Sequence, residues 1–168
     1  IDDAGNIYVV ADRPVSTNPE LLSEPITIKF DADGNRLFML AGPGQGGSAV
    51  ATDADGSVIV SGIYFEEAGT NLIRQTSKFT PTGAMVWTLP DTVGQVAVDQ
   101  GDGSTYIVDP YAQAALKVSA TGQILWQQAL AAGQQVRAVT LDDTTGAFIH
   151  TGNINSGFGD IITVRYGV

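Results

Sequence analysis

The chain has 168 residues, 43% of them hydrophobic and 15% charged, with a mean hydropathy of +0.10; it can bury a sizeable core and lacks the composition of a disordered polymer. Eighteen acidic residues against eight basic ones give a net charge of −10, a poor footing for gripping phosphate backbones. Zero cysteines and a single histidine exclude disulfides, thiolate chemistry and His-rich zinc sites, and no apolar run reaches the roughly 18 residues of a membrane-spanning helix.

The first residues, Asp2-Asp3-Ala4-Gly5-Asn6, read as an acidic turn running into the β-rich Ile7-Tyr8-Val9. Next comes Ile28-Lys29-Phe30-Asp31-Ala32-Asp33-Gly34-Asn35-Arg36-Leu37-Phe38, a strand, a Gly turn and a second strand. Asp53-Ala54-Asp55-Gly56-Ser57-Val58-Ile59-Val60 returns to the first pattern. Ser77-Lys78-Phe79-Thr80-Pro81-Thr82-Gly83-Ala84-Met85-Val86-Trp87 returns to the second. Looser copies of the first occupy 98–107 and 141–149. Leu116-Lys117-Val118-Ser119-Ala120-Thr121-Gly122-Gln123-Ile124-Leu125-Trp126 is a third copy of the second, and Val164-Arg165-Tyr166-Gly167 opens a fourth. This is hairpin grammar, with Gly supplying positive φ and Asp or Asn capping the turn. No window sustains a 3.6-residue period; 112–118 could turn once, but in the repeat it occupies a strand.

Within the second pattern the spacings do not vary. A Lys stands five residues before a Gly (29/34, 78/83, 117/122) and an aromatic four after it (38, 87, 126). About four strands make one unit, at 26–31, 36–41, 48–53 and 57–64 in the first. Successive cations at 29, 78, 117 and 165 put the units 39 to 49 residues apart. A four-stranded unit recurring at that distance is the footprint of a β-propeller blade: one sheet cannot cover both its apolar faces, and stacking sheets around an axis buries them. The expected fold is therefore all-β, a propeller of four-stranded antiparallel blades. Full units are expected at about 26–71, 72–112 and 113–159, with partial blades at 1–25 and 160–168.

The units resemble bacterial β-propeller repeats of the NHL, SBBP and PQQ-like kinds. Gly5-Asn6-Ile7-Tyr8-Val9-Val10-Ala11-Asp12 and Tyr106-Ile107-Val108-Asp109 resemble the NHL pattern. Ser57-Val58-Ile59-Val60-Ser61-Gly62, Ile149-His150-Thr151-Gly152 and Asp160-Ile161-Ile162-Thr163-Val164-Arg165-Tyr166 resemble SBBP repeats, and Ala120-Thr121-Gly122-Gln123-Ile124-Leu125-Trp126 the core of PQQ-like blades. The resemblance implies a blade rather than an activity, because such propellers include scaffolds, binding platforms and enzymes. It also implies an exported bacterial or archaeal protein, extracellular, periplasmic or at the cell surface. The chain begins at Ile1 without an initiator Met or a signal pattern. The expectation is part of a larger propeller whose open blade edges invite self-association, with a self-closing four-bladed ring as the alternative.

Lys29, Lys78, Lys117 and Arg165 share one repeat position, so propeller symmetry would place them in a ring. A cationic ring near the axis could bind an anion or an acidic partner. A repeated ion pair or cation–π contact is the structural alternative, and it is preferred because repetition is what a structural role predicts. Asp31-Ala32-Asp33-Gly34 and Asp53-Ala54-Asp55-Gly56 have the look of calcium loops but lack the bidentate Glu of an EF-hand; Ca2+ is a secondary possibility, and no cofactor is predicted. Phe38, Trp87 and Trp126 read as wedges between blades. Gly42-Pro43-Gly44-Gln45-Gly46-Gly47 lacks the Lys-Ser/Thr of a phosphate loop. His150 with Asp142, Asp143 or Asp160 is the one possible His–carboxylate pairing, without a nucleophile-elbow Ser, so no catalytic residue is assigned.

The longest segments outside the repeat are 13–24, 64–71 and 153–159, expected as loops between the fourth strand of one blade and the first of the next, gathered on one face. Arg13, Asn18, Glu20, Glu66, Glu67, Asn153 and Asn155 make that rim polar, and variable loops on a rigid scaffold are where binding concentrates. The expected function is a binding or protein-interaction scaffold, its ligand unspecified. An enzyme of hydrolase or lyase type with an axial site completed elsewhere, or a structural repeat in a surface assembly, are the alternatives. Nucleic acid and a transmembrane segment are not expected.

Overall fold

A computed structural model of the chain describes residues 1–14, 23–41, 47, 49–65, 71–142, 144–154 and 160–166. Their fourteen strands form four antiparallel sheets in which chain neighbours pair. The first sheet holds β1 (Ile7–Pro14), β2 (Ser23–Phe30) and β3 (Arg36–Ala41). The second holds β4 (Ala49–Thr52), β5 (Val58–Phe65), β6 (Leu72–Phe79) and β7 (Met85–Pro90). The third holds β8 (Gln95–Val98), β9 (Thr105–Asp109), β10 (Ala114–Val118) and β11 (Ile124–Ala129). The fourth holds β12 (Gln134–Leu141), β13 (Phe148–Ile154) and β14 (Asp160–Tyr166).

Strand positions follow the sequence reading closely, but the grouping does not. The unit expected at 26–71 is divided: β2 and β3 pair with β1, while β4 and β5 pair with β6 and β7. The units expected at 72–112 and 113–159 are divided in the same way, between β7 and β8 and between β11 and β12. Sheets change in segments 42–48, 91–94 and 130–133. The physical reason is that a periodic pattern fixes the repeat length but not its phase. The 91–94 crossover is no longer than a hairpin turn, so it looks like one. In place of three full blades and two fragments there are two four-stranded sheets, flanked by sheets of three described strands. The long segments consequently join strands of a single sheet, β1 to β2, β5 to β6 and β13 to β14, not successive sheets.

The turn glycines behave as the pattern demands. Gly34, Gly83 and Gly122 have φ of 85°, 89° and 90°, and each donates to the residue three before it: Asp31, Thr80 and Ser119. One bulge recurs just after these turns, so Phe38, Trp87 and Trp126 stand opposite Lys29, Lys78 and Lys117. It leaves Leu37, Val86 and Leu125 outside the ladder and exposed.

Three clusters bury the joints between sheets. Tyr8, Val58, Val60 and Phe79 join the first sheet to the second. Ile59, Trp87, Ile107, Leu116 and Val118 join the second to the third. Tyr106, Val108, Phe148 and Tyr166 join the third to the fourth. Neighbouring sheets also meet through their leading strands, β4 against β8 and β8 against β12, which places these at the hub.

Candidate functional site

The four repeated cations lie on β2, β6, β10 and β14, away from the hub. Each meets an Asp of the turn ahead of the strand that precedes its own. Lys78 Nζ is 2.8 Å from Asp53 Oδ2, with both side chains about 6% exposed. Lys117 is 3.4 Å from Asp102; Lys29–Asp2 and Arg165–Asp142 are looser at 3.9 Å. Lys29 also lies 5.1 Å from the Tyr8 ring centroid, and Lys117 lies 5.0 Å from that of Tyr106. What the structure holds at these positions is a repeated ion pair, and Lys78 has no free side to offer an anion.

The acids of those turns are occupied locally. Asp31 Oδ1 accepts from the backbone of Asp33 and Asn35, and its Oδ2 from Asn35 Nδ2. Asp53 Oδ1 accepts from Asp55 and Ser57. In the Thr80 and Ser119 turns a hydroxyl does the same job. Such carboxylates hold their own turns, and among the described residues no three His, Asp or Glu side chains gather at one point. Burial works against charge on Asp2, but hydrogen bonds from Asn6 and Tyr8 and the Lys29 charge hold it below the usual carboxylate range. The hydroxyls of Thr144 and Thr145 bring Asp142 down to about 2.

His150 is fully buried at the joint of the third and fourth sheets. Its Nε2 lies 3.1 Å from the Tyr166 hydroxyl and its ring stacks on Tyr166 at 5.6 Å. Nδ1 has no partner among the described residues, and burial lowers the imidazole pKa. Asp142 turns instead to Thr144, Thr145 and Arg165, so His150 and Asp142 do not pair; Asp143 and the Asp160 side chain lie outside the described residues. A cleft of about 320 Å³ opens beside it, lined by Tyr106, Lys117, Trp126, Phe148 and Tyr166. At the preceding joint the corresponding space is filled: Trp87 donates to the Ala120 carbonyl and lies against Gly122. Residues 167 and 168, next to Tyr166, lie outside the described residues, and no role is assigned to the cleft.

Of the rim residues, Arg13 and Asn153 are described and Asn18, Glu20, Glu66, Glu67 and Asn155 are not. Arg13 lies near the end of β1 and is exposed; Asn153 lies near the end of β13, its Oδ1 3.4 Å from Arg137 Nε. Sequence reading passed over the equivalent segment of the third sheet, 110–113, because it is short. Tyr111, at its tip, is 58% exposed, and the Arg74 guanidinium from β6 of the neighbouring sheet lies 4.7 Å from its ring. The segment is held from below by Asp109, which is fully buried. Asp109 Oδ1 accepts from the backbone of Tyr111 and Ala112 at 2.8 and 2.9 Å, and its Oδ2 from Val93 at 3.0 Å. The signal available in the sequence was Asp109-Pro110-Tyr111, an exposed aromatic after an Asp-Pro turn.

Four antiparallel sheets, joined face to face with β4, β8 and β12 at a hub, define a β-propeller. Solved structures bear this out. Kuenenia stuttgartiensis hydrazine synthase matches 99% of the chain at TM-score 0.72 and 12% identity. A luciferin-regenerating enzyme matches 99% at TM-score 0.57 and 12% identity, and a Bacteroides caccae protein of unknown function matches 86% at 0.52 and 14%. The chain spans 57%, 59% and 57% of those three structures respectively. No family model and no curated protein matches the sequence. At these identities the likeness is one of fold.

Proposed function

We propose that the chain is a β-propeller module that binds a protein partner through the rim formed by the segments that join β1 to β2, β5 to β6, β9 to β10 and β13 to β14. The reading includes the resemblance to NHL, SBBP and PQQ-like repeats and a place in a larger secreted or cell-surface protein. The observation that carries it is the Tyr111–Arg74 pair. An exposed Tyr stacked on Arg, fixed by a buried Asp, is the residue chemistry on which protein interfaces concentrate their binding energy, and here its conformational cost is met in advance. Arg13 and Asn153 lie at the described ends of the corresponding segments, and the sequence assigns Asn18, Glu20, Glu66, Glu67 and Asn155 to the same segments, polar residues suited to the rim of an interface.

The test is to place a photo-crosslinking residue at 111 and at the remote Leu37, and to compare the captured partners by mass spectrometry. A partner captured at 111, lost with Arg74→Ala and weakened by Glu66→Lys with Glu67→Lys, supports the rim. Equal capture at 111 and 37, or capture indifferent to those substitutions, counts against it. An axial site of hydrolase or lyase type remains the second class of function, and binding that ignored every rim change would favour it.

A further inference from the structure

Backbone strain and orphaned polar atoms gather at one place on the rim, where the second sheet meets the third. Asp91 and Gln113 are the two non-glycine residues at positive φ among those described, at 54° and 49°. The Asp91 amide donates to the Arg74 carbonyl at 2.9 Å, and Gln113 closes the segment that carries Tyr111. Arg74 Nε and Gln113 Oε1 are buried without a hydrogen-bond partner among the described residues. Each of these features costs the fold stability, and such costs persist where they serve a site. The second and third sheets have four strands each and are packed on both faces, so the place lies within the stack and not at either of its outer faces.

Arg74 stands apart from the repeated cations. Lys29, Lys78, Lys117 and Arg165 each pair with an aspartate, whereas no described carboxylate pairs with Arg74. Arg36 and Arg137 also have none, but neither has a ring against it among the described residues. The Arg74 guanidinium lies over the Tyr111 ring. That contact draws on the charge of the guanidinium and leaves its N–H groups to bond elsewhere. With Nε buried, the two Nη groups form the donating edge of this half-buried side chain, and they make no hydrogen bond to a described residue. Two parallel N–H donors match the two oxygens of a carboxylate.

We infer that the partner bound at the rim presents a carboxylate to Arg74, its oxygens on the two Nη groups, while the body that carries it rests on the Tyr111 ring. The inference rests on the rim reading above and names the chemistry that this part of the rim takes. One guanidinium in a chain of net charge −10 suits a single negative charge. A phosphate, with a charge of about −2, would need more cations than Arg74 supplies. Because Asp109 already fixes the backbone of Tyr111 and Ala112, the ring is in place before the carboxylate arrives.

The experiment is an NMR titration of the isotope-labelled 168-residue chain that follows the Arg74 Nε–H and Tyr111 amide signals. Three probes are added separately. N-acetylphenylalanine carries the carboxylate of a chain terminus, N-acetylglutamic acid α-amide carries that of an acidic side chain, and N-acetylglutamine amide is neutral. Both signals should shift saturably with a carboxylate probe and not with the neutral amide, and the probe that saturates at lower concentration gives the source of the carboxylate. Arg74→Gln should abolish the Tyr111 shift. Arg74→Lys, which keeps the charge but not the planar fork, should weaken it, and it carries the test should Arg74→Gln unfold. No saturable shift with either carboxylate, an equal response to the neutral amide, or an exposed Arg36 that responds over the same concentrations overturns the inference, even where a partner crosslinks at 111. Carboxylate binding with no partner captured at 111 supports the Arg74 site and overturns the protein-binding rim alone.

Discussion

Lys78 and Asp53 form the most buried of the repeated ion pairs, and the energetics of such pairs are one-sided. Removing one member strands a charge in a dry joint, which costs about 3–5 kcal/mol, whereas removing both at once can be nearly neutral. Lys78→Met should therefore destabilise strongly in urea titration, and the double change Asp53→Asn with Lys78→Met should recover much of the loss. Arg165→Met, at an exposed pair, should cost under about 1 kcal/mol. His150 gives a second test. The unfolded chain takes up a proton near pH 6.5, while burial makes the folded imidazole resist it. Stability is thus full above that pH and falls as the pH drops below it. The carboxylates held low in the fold, Asp2 and Asp142 among them, begin to contribute only as the pH nears 3.8, so the window from about 6.5 to 5 belongs to His150. Thermal melts should show that decline in the wild type and not in His150→Phe. The cations were legible in the sequence through their fixed spacing from a glycine. Their partners were not, since the sequence distance from each Asp to its cation varies from sheet to sheet.

At the scale of the strand and its turn, the sequence read well because hairpins are local. A Gly at positive φ, flanked by an Asp, Thr or Ser that caps the turn, fixes two strands and their register within a dozen residues. Gly122 shows what the local rule leaves out. A Cβ there would lie 2.8 Å from the Trp87 side chain of the neighbouring sheet, on a backbone already at φ 90°. Gly122→Ala should cost about 1–3 kcal/mol for the backbone alone, with the displaced Trp87 adding to it. Gly34→Ala, whose Cβ would meet nothing within 4 Å, should show only the backbone part. Trp87→Ala should lose about 3–5 kcal/mol, read from chemical denaturation. The long loops were also visible as interruptions, but hydrogen bonding assigned them to connections within a sheet.

For the whole molecule, stability should be graded along the stack. The second and third sheets are covered on both faces; the first and fourth are covered on one, with Val9 and Ile161 facing outward. Hydrogen exchange should accordingly find the slowest amides in β5, β9 and β10, where Val58, Val60, Ile107 and Val108 are shielded, and faster ones in β1 and β14.

The sequence by itself determined the elements: an all-β chain, short strands joined by glycine turns at about four to a unit, and a blade-sized repeat carrying a cation and an aromatic at fixed positions. Those features follow from interactions between residues a few positions apart, so they survive without knowledge of the rest of the chain. Only the tertiary structure decided which strands share a sheet, that each cation meets a turn aspartate, and that Tyr111 stands out on Arg74. All of these depend on contacts between residues distant along the chain. A periodic sequence repeats such contacts identically in either phase, and hydrogen bonding between strands selects one of them.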